Sequence, residues 1–339
     1  MRDGLTLETL NVLEPENLLL AETTSSKLAD QFSLLKGLFV CHLCIFLIFG
    51  LPLLSLAQEL EPRRWSHLPT GKNFLGFAYV YTKGDIFFDP VLRIEDTEME
   101  MHTWAFRYIR TFELLRKSAR IDFTQAYQEG RWSGLLNGAP ASITRNGLSD
   151  SVLRFAINLY GAPPLEGKEF AAYRAKVDVE TIVGTALVVH LPTGDYMNDK
   201  LINLGTNRFT FRPQFGVVHN RGKWSMELTG AVWLYTDNTD FYNGRKLEQD
   251  PYFTSQIHLI YTIRPGLWAS ASAGYGYGGK STIDGVGKND RRENLAWALS
   301  IGCPIARQLG VKFVYLSSRA QESVGQDTDS IGATFNIFW

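Results

Sequence analysis

Twelve stretches of this chain read as strands, nearly all alternating apolar and polar residues with a period of two, and that pattern excludes most folds open to a chain of 339 residues. Successive strand side chains point to opposite faces, so each stretch reads as a β-strand with one greasy side. The stretches are Asn73 to Thr82, Thr103 to Arg110, Ala119 to Gln128, Ser151 to Tyr160, Glu180 to His190, Arg208 to Val218, Trp224 to Tyr235, Phe253 to Ile263, Trp268 to Tyr277, Leu295 to Cys303, Val311 to Ser317 and Asp329 to Trp339. In the second, Trp104, Phe106 and Tyr108 oppose Thr103, Ala105 and Arg107. In the fourth, Leu153, Phe155, Ile157 and Leu159 oppose Arg154, Ala156 and Asn158. Glu180 to His190 is β-branched and a clear strand, but its two faces are hard to tell apart. The last strand ends on a bare aromatic, with Ile331, Ala333, Phe335, Ile337 and Trp339 in one row.

Charge follows the same sorting. In the clear strands the apolar row holds no Asp, Glu or Lys, and its single Arg, Arg110, stands at a strand end. The charges fall on the other row, at Arg107, Arg120, Asp122, Arg154, Arg208, Arg212, Glu227 and Lys312. Arg or Lys facing lipid at the membrane midplane costs about 2 to 4 kcal/mol, so the apolar row is the one that can meet lipid. Connections take turns as well, odd ones long and even ones short, with Gly161 to Val179 the exception among the even ones. An up-and-down barrel with both termini in the periplasm has this asymmetry, and a Greek-key sandwich has no reason for it. A soluble lipocalin-like barrel has only eight strands. The expectation is an all-β fold: a transmembrane antiparallel up-and-down barrel of about twelve strands over residues 73–339, set among the lipids of the outer membrane of a Gram-negative cell.

Composition fits a barrel whose polar lumen row dilutes its apolar face. Mean hydropathy is -0.10, aromatics are 13% and charged residues 20% with a net charge of -1, which points away from nucleic acid. One apolar run exists, Gly37 to Leu56, preceded by Lys27 and Lys36 and followed by Ala57. It reads as a secretory signal peptide cleaved after Ala57, with Pro52 and the small exit residues favouring cleavage. The run is also long enough to span a bilayer, so an uncleaved anchor is the alternative. Residues 1–35 precede any normal signal and read as a start called too far upstream or a disordered leader; residues 58–72 read as a periplasmic segment. Cys303 stands alone after the signal, so no disulfide framework is possible within one copy.

Candidate lumen residues come from the charged row. Arg107, Arg120, Arg154 and Arg208, with Asp122, lie on four strands and could meet inside the barrel. Such a cluster can brace the wall through cross-strand ion pairs, or form a basic constriction favouring phenolate or carboxylate solutes. Arg212, Glu227, Trp233 and His258 complete the pore-lining candidates, with Trp233 and Tyr235 offering stacking contacts. Phe335, Ile337 and Trp339 resemble the C-terminal signal read by the barrel-assembly machinery. Gly274, Gly276 and Gly278 mimic a dinucleotide fingerprint, but no helix follows them; with Ser270 and Ser272 they keep one strand face free of bulk. Ser270, Ser272 and His258 could meet across neighbouring strands without an evident orienting partner, so an outer-membrane lipid hydrolase is a minor alternative and no enzyme is expected. The acidic loop Thr236 to Asp240 lacks the Gly and distal Glu of a calcium loop, and His102, His190, His219 and His258 show no ligand spacing, so no metal or cofactor is expected.

Several motifs also carry a family resemblance. Asn158-Leu-Tyr-Gly-Ala-Pro163, Leu191-Pro-Thr-Gly194, Leu201-Ile-Asn-Leu-Gly-Thr-Asn-Arg208, Tyr261-Thr-Ile-Arg-Pro-Gly-Leu-Trp268, and Tyr277-Gly-Gly279 with Asp284-Gly285 resemble the outer-membrane transporter family named for the MetA pathway of phenol degradation. The resemblance runs from about Pro69 to Trp339 and implies an outer-membrane barrel that takes up aromatic or other small hydrophobic compounds; it supplies no agreed site residues. Eight strands fill their lumen and sixteen leave a wide channel, so twelve imply a narrow passive route for a small solute. The rival expectation is a structural or adhesive barrel with a plugged lumen.

Overall fold

The computed structural model describes residues 60–87 and 94–339; the expected leader, signal peptide and cleavage site lie outside them. The strands are β1 (Asn73–Phe87), β2 (Ile94–Leu114), β3 (Lys117–Leu136), β4 (Ala139–Leu148), β5 (Ser151–Tyr160), β6 (Val179–Leu191), β7 (Thr210–Arg221) and β8 (Trp224–Tyr235). There follow β9 (Asn238–Phe241), β10 (Arg245–Gln249), β11 (Tyr252–Arg264), β12 (Leu267–Gly278), β13 (Ser281–Ile283), β14 (Val286–Gly287), β15 (Arg292–Ala306), β16 (Leu309–Ala320) and β17 (Gly325–Phe338). All twelve strands expected from alternation are present, as β1 to β3, β5 to β8, β11, β12 and β15 to β17. They pair antiparallel in chain order, and β17 returns to β1 in a register running from Phe74 opposite Phe338 to Phe87 opposite Gly325. The ring is closed. Closure satisfies every strand edge, the condition under which β-structure can cross a bilayer without water to hydrogen-bond it. No helix among the described residues is long and apolar enough to cross a membrane; the strands make the crossing.

Alternation along each strand separates an apolar outside from a polar inside. On β17, Ile331, Phe335 and Ile337 point outward while Thr328, Ser330 and Thr334 are buried inside. A wall of exposed Phe, Leu, Ile and Trp would be untenable in water and is stable against lipid tails. The short connections are two-residue turns: Leu115-Arg116, Gly222-Lys223, Pro265-Gly266 and Arg307-Gln308. Leu115 and Arg116 both carry positive φ (51° and 60°), the backbone of a primed hairpin turn whose twist matches the strands it joins.

The long connections hold more order than alternation predicts. β1, β2 and β3 run on past the apolar pattern, and β4 folds back on the end of β3. β9, β10, β13 and β14 form a second small sheet in the loops after β8 and β12. Beyond the bilayer both faces of a strand meet water, so the hydrogen-bonded ladder continues while the hydrophobic signal stops. The exceptional even connection, Gly161 to Val179, contains the helix α1 (Gly167–Lys176), which buries Phe170.

Candidate functional site

The barrel interior is crossed near its short-turn end by the chain's own N-terminal segment, Leu60 to Thr70. Leu60, Glu61, Arg64, Trp65, His67 and Leu68 are all buried, and their partners lie around the wall. Leu60 packs with Ala296, Ala298, Val314 and Leu316 of β15 and β16. Leu68 joins Phe74 and Ile109. Trp65 donates its indole N–H to Thr229 Oγ1 of β8 (2.9 Å), while the Arg154 guanidinium lies 5.0 Å from its ring. Arg63 donates to Thr262 Oγ1 (2.8 Å) and stands 4.8 Å from the Trp268 ring.

Two glycines make room for that indole. Gly184 of β6 and Gly216 of β7 are direct cross-strand partners, and a Cβ at Gly216 would lie 2.0 Å from the Trp65 ring nitrogen. This explains why the faces of β6 could not be told apart. Its inward row of Ile182, Gly184, Ala186 and Val188 is apolar because Ile182 and Ala186 pack with Trp65, where other strands present polar groups to the lumen. The helix α1 clamps the same segment from below. His67 Nε2 bonds the Pro163 carbonyl oxygen (2.7 Å), its ring packs edge-on to Phe170 and Tyr173, and the Thr70 amide donates to the Leu165 carbonyl (2.9 Å). Glu180 of β6 sits 3.4 Å from His67 Nδ1 and accepts from Tyr173 (2.9 Å) and Arg174 (2.7 Å).

Of the charge cluster, the structure gathers Arg107, Arg120 and Arg154 on Asp122 and leaves Arg208 apart. Arg107 meets Asp122 at 2.6 Å, and Arg120 and Arg154 each approach it at 3.5 Å. The segment completes the network. Glu61 accepts from Arg107 (2.9 Å) and Arg64 (2.8 Å), the Arg64 amide donates to Glu227 Oε1 (3.1 Å), and Arg120 donates to the Arg64 carbonyl (2.8 Å). Burial alone would raise the Glu61 carboxyl, but Arg107, Arg64 and Lys312 outweigh it and hold the group below the usual carboxylate value. Removing one member of so buried a network strands the others without water, at a cost of about 3 to 5 kcal/mol.

Beyond this network, toward the long loops, the lumen widens into a cavity of about 430 Å³. Met99, Met101 and Trp132 line one side, and Trp233, Tyr235 and Tyr252 another. Trp233 lines this cavity, with the Arg212 guanidinium 4.2 Å from its ring. Leu201 to Leu204 of the loop between β6 and β7 form part of the wall. That loop is tied inward by buried Asp150, whose carboxylate accepts from the Gly194 amide (3.0 Å) and from the Thr206 amide (3.0 Å) and hydroxyl (2.6 Å). Arg208 lies just ahead of β7 at this level, its guanidinium 4.5 Å from the Tyr235 ring. Burial and the nearby Arg292 charge, opposed by Tyr235, lower its pKa to about 10, so it is charged at neutral pH.

His258 is fully buried and its Nδ1 lies 2.8 Å from Ser272 Oγ, the contact across neighbouring strands that the sequence allowed. Glu227 stands opposite His258 across the ladder, yet the two do not hydrogen-bond. Gly274 and Gly276 face inward with Ser270 and Ser272, so the small-residue face is a lumen face. Asp237 pairs with Lys246 and Asp240 accepts from Asn198. Among the described residues no group of His, Cys, Asp or Glu is placed to hold a metal ion. Phe335, Ile337 and Trp339 lie exposed on or just beyond the closing strand. Sequence reasoning missed the residues of the crossing segment. The signal available was Leu60, Trp65 and Leu68, three large apolar side chains in a polar stretch with no strand of their own.

A closed barrel with a lipid-facing exterior and a charged, hydrogen-bonded interior defines a bacterial outer-membrane β-barrel. Residues 78–324 match the family described as "Putative MetA-pathway of phenol degradation", and the chain belongs to that family. The fold is similar to the crystal structure of the COG4313 outer membrane channel from Pseudomonas putida F1, with a TM-score of 0.69 at 21% identity, covering 82% of this chain and 99% of that one. More distant are the transport unit of the autotransporter AIDA-I from Escherichia coli (TM-score 0.45, 9% identity, 79% and 90% covered) and the CymD monoaromatic hydrocarbon channel (0.40, 5%, 80% and 89%). None of the curated protein sequences matches the chain.

Proposed function

We propose that the barrel is a passive channel carrying small aromatic or otherwise hydrophobic solutes across the outer membrane. The observation that carries the reading is the cavity of about 430 Å³, in which Met99, Met101, Trp132, Trp233, Tyr235 and Tyr252 stand among polar side chains. Pockets of this size lined by apolar groups with a few polar ones suit small organic ligands. Membership of a family named for phenol degradation supports the same solute class. The second reading, a structural barrel with a plugged lumen, draws on the crossing segment. One gap between that segment and the wall, beside Trp65 and Arg120, holds about 20 Å³, room for a water molecule and not for an aromatic ring. Solute passing through that gap requires the segment Leu60 to Thr70 to shift. Liposome swelling with phenol, benzoate and a sugar of similar size separates the readings: the channel admits the aromatics faster than the sugar, and background swelling for all three leaves the structural barrel.

The chain's contact with the assembly machinery is assigned to the row Phe335, Ile337 and Trp339, because β17 is the strand that must meet β1 to close the ring. Trp339→Ser should lower the folded fraction recovered from outer membranes, read by heat-modifiable gel migration. Unchanged recovery would remove that assignment.

A further inference from the structure

Arg208 is more than nine-tenths buried, and its charge is only half accounted for. One terminal nitrogen donates to the Gln249 amide oxygen; the other, Nη1, is buried without a hydrogen-bond partner. Its guanidinium lies against the Tyr235 ring, which satisfies the face of the group and not its N–H donors. Arg292, at the start of β15, lines the same cavity and, among the described residues, makes no ion pair. Two cations thus line one cavity with no carboxylate bound to either. A buried, unmatched guanidinium is costly, and the usual remedy is a paired anion. Here the nearby carboxylates are taken, Asp150 by Gly194 and Thr206 and Asp237 by Lys246, and neither pairs with Arg208.

Space for one exists. Arg292 pairs in register with Gly278 of β12, followed by Asn294 with Gly276 and Ala296 with Gly274, so no side chain on that neighbour fills the volume beside the guanidinium. On β2 and β3 the cavity wall presents Met99, Met101 and Trp132, an apolar patch beside Thr103 and Gln128. A ligand matching both ends has a small anionic head and an apolar body.

We propose that Arg208 and Arg292 form an anion-binding pole in the cavity, and that the solutes taken up are amphipathic monocarboxylates, aromatic or short aliphatic acids, held head-first against the two guanidiniums. Arg is suited to this because its planar fork matches a carboxylate, and rings of Arg in pores select anions. The three arginines on Asp122 are a different case, since acids already engage them. This inference rests on the channel reading and narrows its solute class.

Titration calorimetry on the full chain in phosphatidylcholine nanodiscs tests it, comparing phenylacetate with 2-phenylethanol and hexanoate with hexanol. The wild type should bind each acid about tenfold tighter than its alcohol, the ratio expected of one charged hydrogen bond. Arg208→Gln and Arg292→Gln should each erase that preference, weakening acid binding far more than alcohol binding. Equal affinity for acid and alcohol in the wild type overturns the proposal, as does a preference that survives both substitutions. Inorganic phosphate binding as tightly as phenylacetate also overturns it, because the apolar body would then add nothing. Arg292 is only partly buried, so its variant carries the test if Arg208→Gln fails to fold. Aromatic flux without acid preference leaves the channel reading standing and removes this one. Acid binding without flux leaves the anion-binding pole and removes both the channel reading and the claim that these acids are taken up.

Discussion

Trp65 and the two glycines it covers show how a single side chain can set what a strand must be. Gly184 and Gly216 lie where a lumen row could carry any residue, and only the indole between them explains their size. Gly216→Ala places a methyl 2.0 Å from that ring, and the buried Trp65 cannot yield without leaving Thr229 and Arg154. Overpacking of this kind costs about 1 to 3 kcal/mol, so the segment should be partly displaced and single-channel conductance should rise. Gly230→Ala, where a Cβ meets nothing within 4 Å, is the control and should conduct as the wild type does. Equal conductance in both variants would mean that the indole can repack in place. The Gly–Gly register was visible in the sequence only as two small residues, because nothing local says what lies across the lumen.

At the scale of elements, the crossing segment is held by charge as much as by packing. Glu61 titrates below its usual value of 4.5 because Arg107, Arg64 and Lys312 outweigh burial. A carboxyl whose bound pKa is depressed contributes docking strength above its free pKa and loses it as pH falls through the bound one. Conductance should therefore stay low at neutral pH and rise below about pH 4, whereas Glu61→Gln should conduct more at every pH with a flatter profile. A wild-type acid profile no steeper than that of Glu61→Gln would place the hold elsewhere. All twelve barrel strands were legible: a lipid-facing row against a polar lumen row keeps the period-two signal, and β6, whose inward row is apolar too, was legible from its β-branched run. The helix α1, the hairpin of β3 and β4 and the small sheet of β9, β10, β13 and β14 were not. They owe their form to the segment they clamp or to each other, outside the bilayer where no one-sided solvent writes a pattern.

For the molecule as a whole, the barrel is stable because its outside is lipid-like over its full circumference. Leu299, exposed in the middle of β15, samples that surface. Leu299→Arg should cost about 2 to 4 kcal/mol in urea unfolding from lipid vesicles, while a cost near zero would place this level of the strand outside the hydrocarbon. The sequence by itself determined the strand count, the antiparallel order, the inward face of nearly every strand and the closing role of the C-terminus. Each follows from alternation, turn length and the exclusion of charge from lipid, which are properties of neighbours along the chain. Only the tertiary structure decided which inward charges meet, that Arg208 stands apart from Arg107, Arg120 and Arg154, and that Leu60 to Thr70 crosses the lumen. Those outcomes depend on the height of each residue along the barrel axis and on contacts between residues as far apart as Arg64 and Glu227, distances that no periodicity encodes.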